Sequence, residues 1–91
     1  MTAIVDDTQH VLGIYTDGDL RRTLEKRLDF STTEVHQVMS RNPHSIGPDA
    51  LAAEAVQIME QYNITQILVV DCANKLVGAL NMHDLLRAKV I

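Results

Sequence analysis

The stretch GIYTDGDLRR, residues 13–22, returns as GALNMHDLLR at residues 78–87, and this return decides how the rest of the chain is read. TAIVDDTQHVLGIYTDGDLRR (2–22) lies over ILVVDCANKLVGALNMHDLLR (67–87) without a gap. Asp6 falls on Asp71, Gly13 on Gly78, Asp19 on Asp84, Leu20 on Leu85 and Arg22 on Arg87, while Ile4-Val5 and Val11-Leu12 stay in phase with Val69-Val70 and Leu76-Val77. A fixed offset of 65 with apolar pairs in step marks an internal duplication.

Each copy has one physical pattern. A β-branched apolar run (3–5; 67–70) meets a polar turn, and a second apolar run ends just beyond Gly13 or Gly78, which predicts a hairpin. A helix follows. In the first copy it is expected over 17–28, with Leu20, Leu24 and Leu28 forming an apolar stripe. Between the copies, TTEVHQVMSRNP (32–43) carries Val35, Val38 and Met39 at helical spacing and ends at Asn42-Pro43, a short helix stopped by proline. HSI (44–46) reads as a short strand. PDALAAEAVQIMEQYN (48–63) reads as the clearest helix: Asp49 as N-cap, Leu51, Ala55, Ile58, Met59 and Tyr62 on one face, and Asn63 as a left-handed stop.

The expected fold is therefore α/β (α+β), two tandem units of a small three-stranded sheet packed with two helices. Residues 1–30 form the latter part of the first unit, 31–43 a linker with a short helix, and 44–91 a complete second unit. Residue 1 aligns with Gln66, so the strand and helix of 44–65 have no upstream counterpart and the first unit is truncated. A longer parent chain, or a second copy covering the bare face, would account for this.

Bulk properties narrow the function. Eight Lys plus Arg against twelve Asp plus Glu give a net charge of −4, and one Phe and two Tyr leave no stacking platform, so nucleic acid is excluded as a partner. Arg21-Arg22 and Lys26-Arg27 are interleaved with acids, as on a solvated helix face. The lone Cys72 has no partner for an internal disulfide, and neither a leader nor an eighteen-residue apolar run occurs, which predicts a cytoplasmic chain without a membrane span. His10, His36, His44 and His83 lack ligand-like spacing, so no metal site is expected. No nucleophile has a base beside it in the sequence pattern, and no glycine-rich phosphate loop occurs, so no catalytic residues are expected.

The tandem strand-helix-strand-strand-helix pattern, with GIYTDGD and GALNMHD where the last strand meets the last helix, resembles the cystathionine β-synthase (CBS) domain pair. That family shows Gly, hydrophobic, any, Thr or Ser, any, any, Asp at this place; Gly13 to Asp19 match, whereas the second copy has Asn81 in place of the hydroxyl residue. The proline common in the strand before the family's Asp is replaced by Ala3 and Leu68. GIYTDGDLRR together with GALNMHDLLRAKVI is also similar to the carboxyl end of bacterial arabinose 5-phosphate isomerases, in which a sugar isomerase domain precedes a CBS pair. The resemblance implies a regulatory part of an isomerase of lipopolysaccharide or capsule precursor synthesis, with the catalytic domain outside this chain. It further implies Asp on the ribose hydroxyls and Thr or Ser near phosphate.

Two readings of the motif use the same atoms. Thr16-x-x-Asp19 has the spacing of a capping box, and Asn81-x-x-Asp84 offers a second good N-cap. Alternatively, the helix start with Gly18, Arg21 and Arg22 cradles a phosphate while Asp19 holds a sugar diol, because Asp17 and Asp19 would repel an anion set directly on them. The candidate ligand residues are Thr16, Asp17, Gly18, Asp19, Arg21 and Arg22 in the first copy, and His44, Ser45, Ile46, Asn81, His83 and Asp84 in the second. The expected ligand is a nucleotide of the AMP or ATP type or a cytidine monophosphate-linked sugar such as the 3-deoxy-D-manno-octulosonate conjugate, with no cofactor required. The competing expectation is a structural module that forms a homodimer or higher homo-oligomer through its helices and binds no ligand.

Overall fold

The computed structural model describes residues 1–87. The elements run β1 (Thr2–Val5), β2 (Val11–Tyr15), α1 (Asp17–Glu25), α2 (Val35–Val38), β3 (Ser40–Arg41), β4 (Ser45–Ile46), α3 (Ala52–Gln61), β5 (Gln66–Val70), β6 (Leu76–Asn81) and α4 (Met82–Arg87). Two three-stranded sheets, β1-β2-β3 and β4-β5-β6, are accompanied by helices in an α+β fold. The chain divides into compact units at Met1–Pro43 and His44–Ile91.

The repeat is visible in the hairpins down to single bonds. In the first, the Asp6 carboxylate accepts from the N–H groups of Thr8 and His10, both at 2.9 Å. In the second, Asp71 accepts from Ala73 at 2.9 Å and Lys75 at 3.0 Å. The aspartates shared by the two copies are thus turn-formers, using a short acceptor side chain to hold the reversing backbone. Gln9 (φ 72°) and Asn74 (φ 63°) take the left-handed position of each turn. The antiparallel register slips at Ile4/Val5 and again at Val69/Val70, the same place in each copy.

Helix ends follow local chemistry that periodicity alone does not convey. α1 stops at Glu25 rather than at Leu28, because Arg27 turns left-handed (φ 55°) and the N–H groups of Arg27 and Leu28 reach back to Leu24 at 3.0 Å and Thr23 at 3.4 Å. This is the paired C-terminal bond pattern that satisfies the last carbonyls. α3 ends in the same way on Asn63 (φ 53°), as its sequence predicts, with Ile64 N–H on Met59 O at 2.9 Å. Its start differs from expectation. Asp49 is consumed in a turn closed by Ala50 N–H on Gly47 O at 3.2 Å, so Leu51 is the N-cap and α3 opens at Ala52.

The second unit has an apolar core of Ala55, Val56, Met59, Ile67 and Leu85, with Ile46, Ile58 and Leu80 packed against it. This confirms the inward face expected for α3 at Ala55, Ile58 and Met59, while Leu51 and Tyr62 stay exposed. The first unit corrects the sequence reading. Leu20, Leu24 and Leu28 are exposed, Leu24 at 57%, and the inward residues of α1 are Asp19 and Thr23. Hydrogen bonding, not an apolar stripe, seats this helix. The expected short helix of 32–43 is present as α2, and β4 pairs in parallel with β5 through Ser45↔Leu68. Ser40–Arg41, in the stretch read as linker, completes the first sheet by pairing with β2, Ile14↔Ser40 and Gly13↔Arg41.

Candidate functional site

At the start of α1 both halves of the capping box are made. Thr16, with extended backbone, accepts from Asp19 N–H at 3.1 Å, and the Asp19 carboxylate accepts from Thr16 N–H at 2.8 Å. Asp19 does more than cap. Its carboxylate also accepts from the Thr16 hydroxyl at 3.0 Å, from Ser40 Oγ at 2.6 Å, and from the Arg22 guanidinium. Only 2% of Asp19 is exposed. One turn on, Thr23 Oγ1 donates to Asp19 O at 2.8 Å and lies 2.9 Å from the Tyr15 hydroxyl.

A carboxylate taken out of water is costly unless its lone pairs are filled, and here they are filled from within the unit. Arg22, expected to face a ligand, is turned onto Asp19 instead. Arg21 and Asp17 remain exposed. A Cβ on Gly18 would meet only the Arg22 and Thr16 side chains, at 3.5 and 3.6 Å, so packing does not demand glycine there. Beside Asp19 lies an open cleft of about 250 Å³ whose lining includes Arg22, Lys26, Gln37, Met39 and Ser40.

The second unit is built differently. Asn81 Oδ1 accepts from Asp84 N–H at 2.7 Å, so the cap is present, but Asp84 itself is exposed and meets Arg87 at 3.2 Å. An exposed pair of this kind contributes little stability. His83 is exposed too. Register places the rest of the predicted set nearby: β4 runs parallel to β5 and β6 antiparallel, with Ser45↔Leu68↔Ala79 and Gln66↔Asn81. His44 and Ser45 therefore sit at the same end of the sheet as Asn81, about 10 Å away across β5 at two strand spacings. His44 stacks on Tyr62 with ring centroids 3.8 Å apart. Ile46 turns to the core, away from that end.

Sequence reasoning did not foresee Ser40, Thr23 or Tyr15. Ser40 is 21 residues from Asp19 in the chain, and no local pattern announces a bond across that separation. Among the described residues no group of three or more His, Cys, Asp or Glu could hold a metal ion, and no helix is long and apolar enough to cross a membrane.

Burial pushes the Asp19 carboxyl upward, but the bonds from Ser40, Thr16 N–H, Arg22 and the Thr16 hydroxyl outweigh it and hold the group below its usual value. A depressed carboxylate contributes stability that is complete above the unfolded-state value, about 3.9, and is lost as pH falls through the lower folded value. Unfolding free energy of the chain is accordingly expected to fall below about pH 4, and Asp19→Asn to flatten that slope. Urea melts at pH 5 and pH 3 check this; an unchanged slope in Asp19→Asn would remove Asp19 as its source.

Residues 35–91 match the CBS domain family. Over all 91 residues the chain is 46% identical to the arabinose 5-phosphate isomerase KdsD of Pseudomonas aeruginosa and 42% identical to that of Escherichia coli K12. It spans 28% and 27% of their lengths, about a quarter. Among solved structures it is similar to the CBS domain pair of MJ0100 in complex with 5′-methylthioadenosine and S-adenosyl-L-methionine, at TM-score 0.82 and 26% identity, covering 96% of this chain and 70% of that one. A putative acetoin utilization protein of Vibrio cholerae gives TM-score 0.83 and 30% identity, covering 97% and 65%. The CBS protein PAE2072 of Pyrobaculum aerophilum, complexed with AMP, shares the fold at TM-score 0.79 and 22% identity, covering 91% and 63%.

Proposed function

This chain belongs to the CBS domain family, and on that premise we propose that it is the regulatory part of a longer arabinose 5-phosphate isomerase, where it binds a nucleotide or nucleotide-linked sugar. Catalysis belongs to a sugar isomerase domain outside these residues. Ligand binding acts on that domain by favouring one of two arrangements, in proportion to the ligand's differential affinity for them. A cytoplasmic setting goes with this reading, in keeping with the exposed free thiol of Cys72.

The observation that carries the proposal is the difference between the two helix starts. Asp19 is saturated from within, whereas Asp84 keeps an exposed carboxylate with His83 and Asn81 beside it and His44 and Ser45 at the same sheet end. An exposed carboxylate beside an imidazole, that of His83, suits a sugar diol, which donates two hydrogens to one acceptor group. In this assignment Asp84 takes the diol, Asn81 and Ser45 the neighbouring polar atoms, and His83 and His44 the anionic or base end. At the first start Arg21, Arg22, Thr16, Asp17 and Gly18 form a secondary anion site, open to a diol on Asp19 only if Ser40 or Arg22 lets go.

Differential scanning fluorimetry with AMP, ATP and a cytidine monophosphate-linked sugar is the test. A ligand at ten times its Kd adds about 1.4 kcal/mol, which raises the Tm of a domain this size by roughly 5–10 °C. Asp84→Ala is expected to abolish the shift while leaving the unliganded Tm within about 2 °C. No shift with any of these compounds at millimolar concentration rejects the proposal.

A second reading rests on a separate observation. Leu20, Leu24, Leu28 and Phe30, in α1 and the residues that follow it, are all exposed, large apolar side chains of the kind that a partner covers. We assign that face to a homodimer, which a ligand-binding role does not preclude, and sedimentation equilibrium at micromolar concentration decides it against a monomer.

A further inference from the structure

The two copies differ at a position where the sequence is identical. In the first unit the side of β2 away from β1 carries β3, and a Cβ placed on Gly13 would lie 2.5 Å from Ser40 O, 2.9 Å from Met39 Sδ and 3.2 Å from Met39 Cγ. Gly13 is covered by a methionine side chain and by the backbone of a passing strand. Gly78 is its counterpart by the repeat, in a hairpin with the same bulge. A Cβ placed there meets nothing within 4 Å.

Beside Gly78 is an apolar cavity of about 340 Å³, bounded by Ile46, Leu51, Ala55, Val69 and Val77. Leu51 and Val77 are exposed at its mouth. Among the described residues β6 pairs with β5 alone, so its other side presents free backbone groups, which are a template for strand addition. We propose that this edge and cavity seat an extended peptide strand with the chemistry of Met39-Ser40-Arg41: a long flexible apolar side chain for the cavity, followed by a small residue whose backbone can lie against Gly78.

The first unit supplies the occupant's description. There the same hairpin edge is filled by the extended residues Met39-Ser40-Arg41 that follow α2, with Ile14↔Ser40 and Gly13↔Arg41 in register. Methionine suits such a gap because an unbranched thioether adapts to irregular space. The chain spans 28% of its relative's length, so polypeptide beyond these residues is an available source of such a strand. This inference is independent of the nucleotide site, since it uses the outer edge of β6 and none of Asn81, His83 or Asp84.

A synthetic peptide with the sequence of residues 34–43, EVHQVMSRNP, titrated into the isotope-labelled 91-residue chain tests it by backbone amide shifts. Saturable shifts are expected at Val77, Gly78 and Ala79. Gly78→Val, at a position where a Cβ meets nothing within 4 Å, is expected to weaken binding at least about tenfold with Tm unchanged, and a Met39→Asp peptide to bind at least about tenfold more weakly to the unaltered chain. No saturable shift up to about 1 mM, shifts confined to Gly13 and Ile14, or equal affinity for the Met39→Asp peptide would each overturn the proposal.

Discussion

Asp19→Ala is expected to lower the unfolding free energy by about 3 kcal/mol, while Asp84→Ala, at the matching position of the second copy, lowers it by less than about 1 kcal/mol. The two residues share a motif and a cap, and differ in what surrounds the carboxylate. At Asp84 the cap survives the change, because Asn81 Oδ1 accepts from the backbone N–H of residue 84, and only an exposed pair with Arg87 is lost. At Asp19 the change strips the acceptor from the Ser40 hydroxyl and from the Thr16 N–H, which is the aspartate's half of the capping box, and these two bonds to a buried charge are worth about 3 kcal/mol together. The Arg22 contact adds little, because the arginine side chain is 60% exposed and water screens the pair. A domain of this length has roughly 5–14 kcal/mol in hand, so the variant should remain folded with its urea midpoint well reduced. Equal losses for Asp19→Ala and Asp84→Ala would mean that the buried bonds Asp19 accepts from Ser40 and Thr16 contribute nothing.

This contrast also shows where sequence is a sufficient guide. The hairpins were legible because their chemistry is local: an aspartate accepting from N–H groups two and four positions ahead, and a left-handed residue before the second strand. The end of α3 was legible for the same reason, in Asn63. Its start was not, because Asp49 is a good cap and also a good turn residue, and the Gly47-Pro48 corner takes it for the turn. The inward face of α1 was misread because periodicity finds apolar stripes. Asp19 and Thr23 face inward as a polar pair at i, i+4, and their partners Ser40 and Tyr15 lie on other elements. A two-residue strand such as β3 has no period to detect. The repeated motif marks two equivalent helix starts, and only their surroundings in the fold separate a closed carboxylate at Asp19 from an open one at Asp84.

Gly13→Val should be as damaging as Asp19→Ala or worse, with a loss of about 3 kcal/mol, whereas Gly78→Val should change stability by no more than about 0.5 kcal/mol in either direction. The reason is steric. At Gly13 a Cβ would fall 2.5 Å from a backbone carbonyl, that of Ser40, and moving this carbonyl means unpairing β3 from β2. The same shift would draw Ser40 Oγ off Asp19, so the cost of the clash spreads into the hydrogen-bonded seat of α1. Met39 alone could move aside, being a flexible chain end, but the carbonyl cannot. At Gly78 the space is open, and a β-branched residue in a strand is favoured if anything. Chemical denaturation of both variants measures the difference, and a double variant of Gly13→Val with Asp19→Ala refines it. If the two sites are joined through β3 as the geometry has it, the combined loss will fall short of the sum of the single losses, since once the strand is displaced by the valine there is no Ser40 bond left for the alanine to remove. Full additivity would separate the strand from the helix start and leave Asp19 held by Thr16 and Arg22 alone.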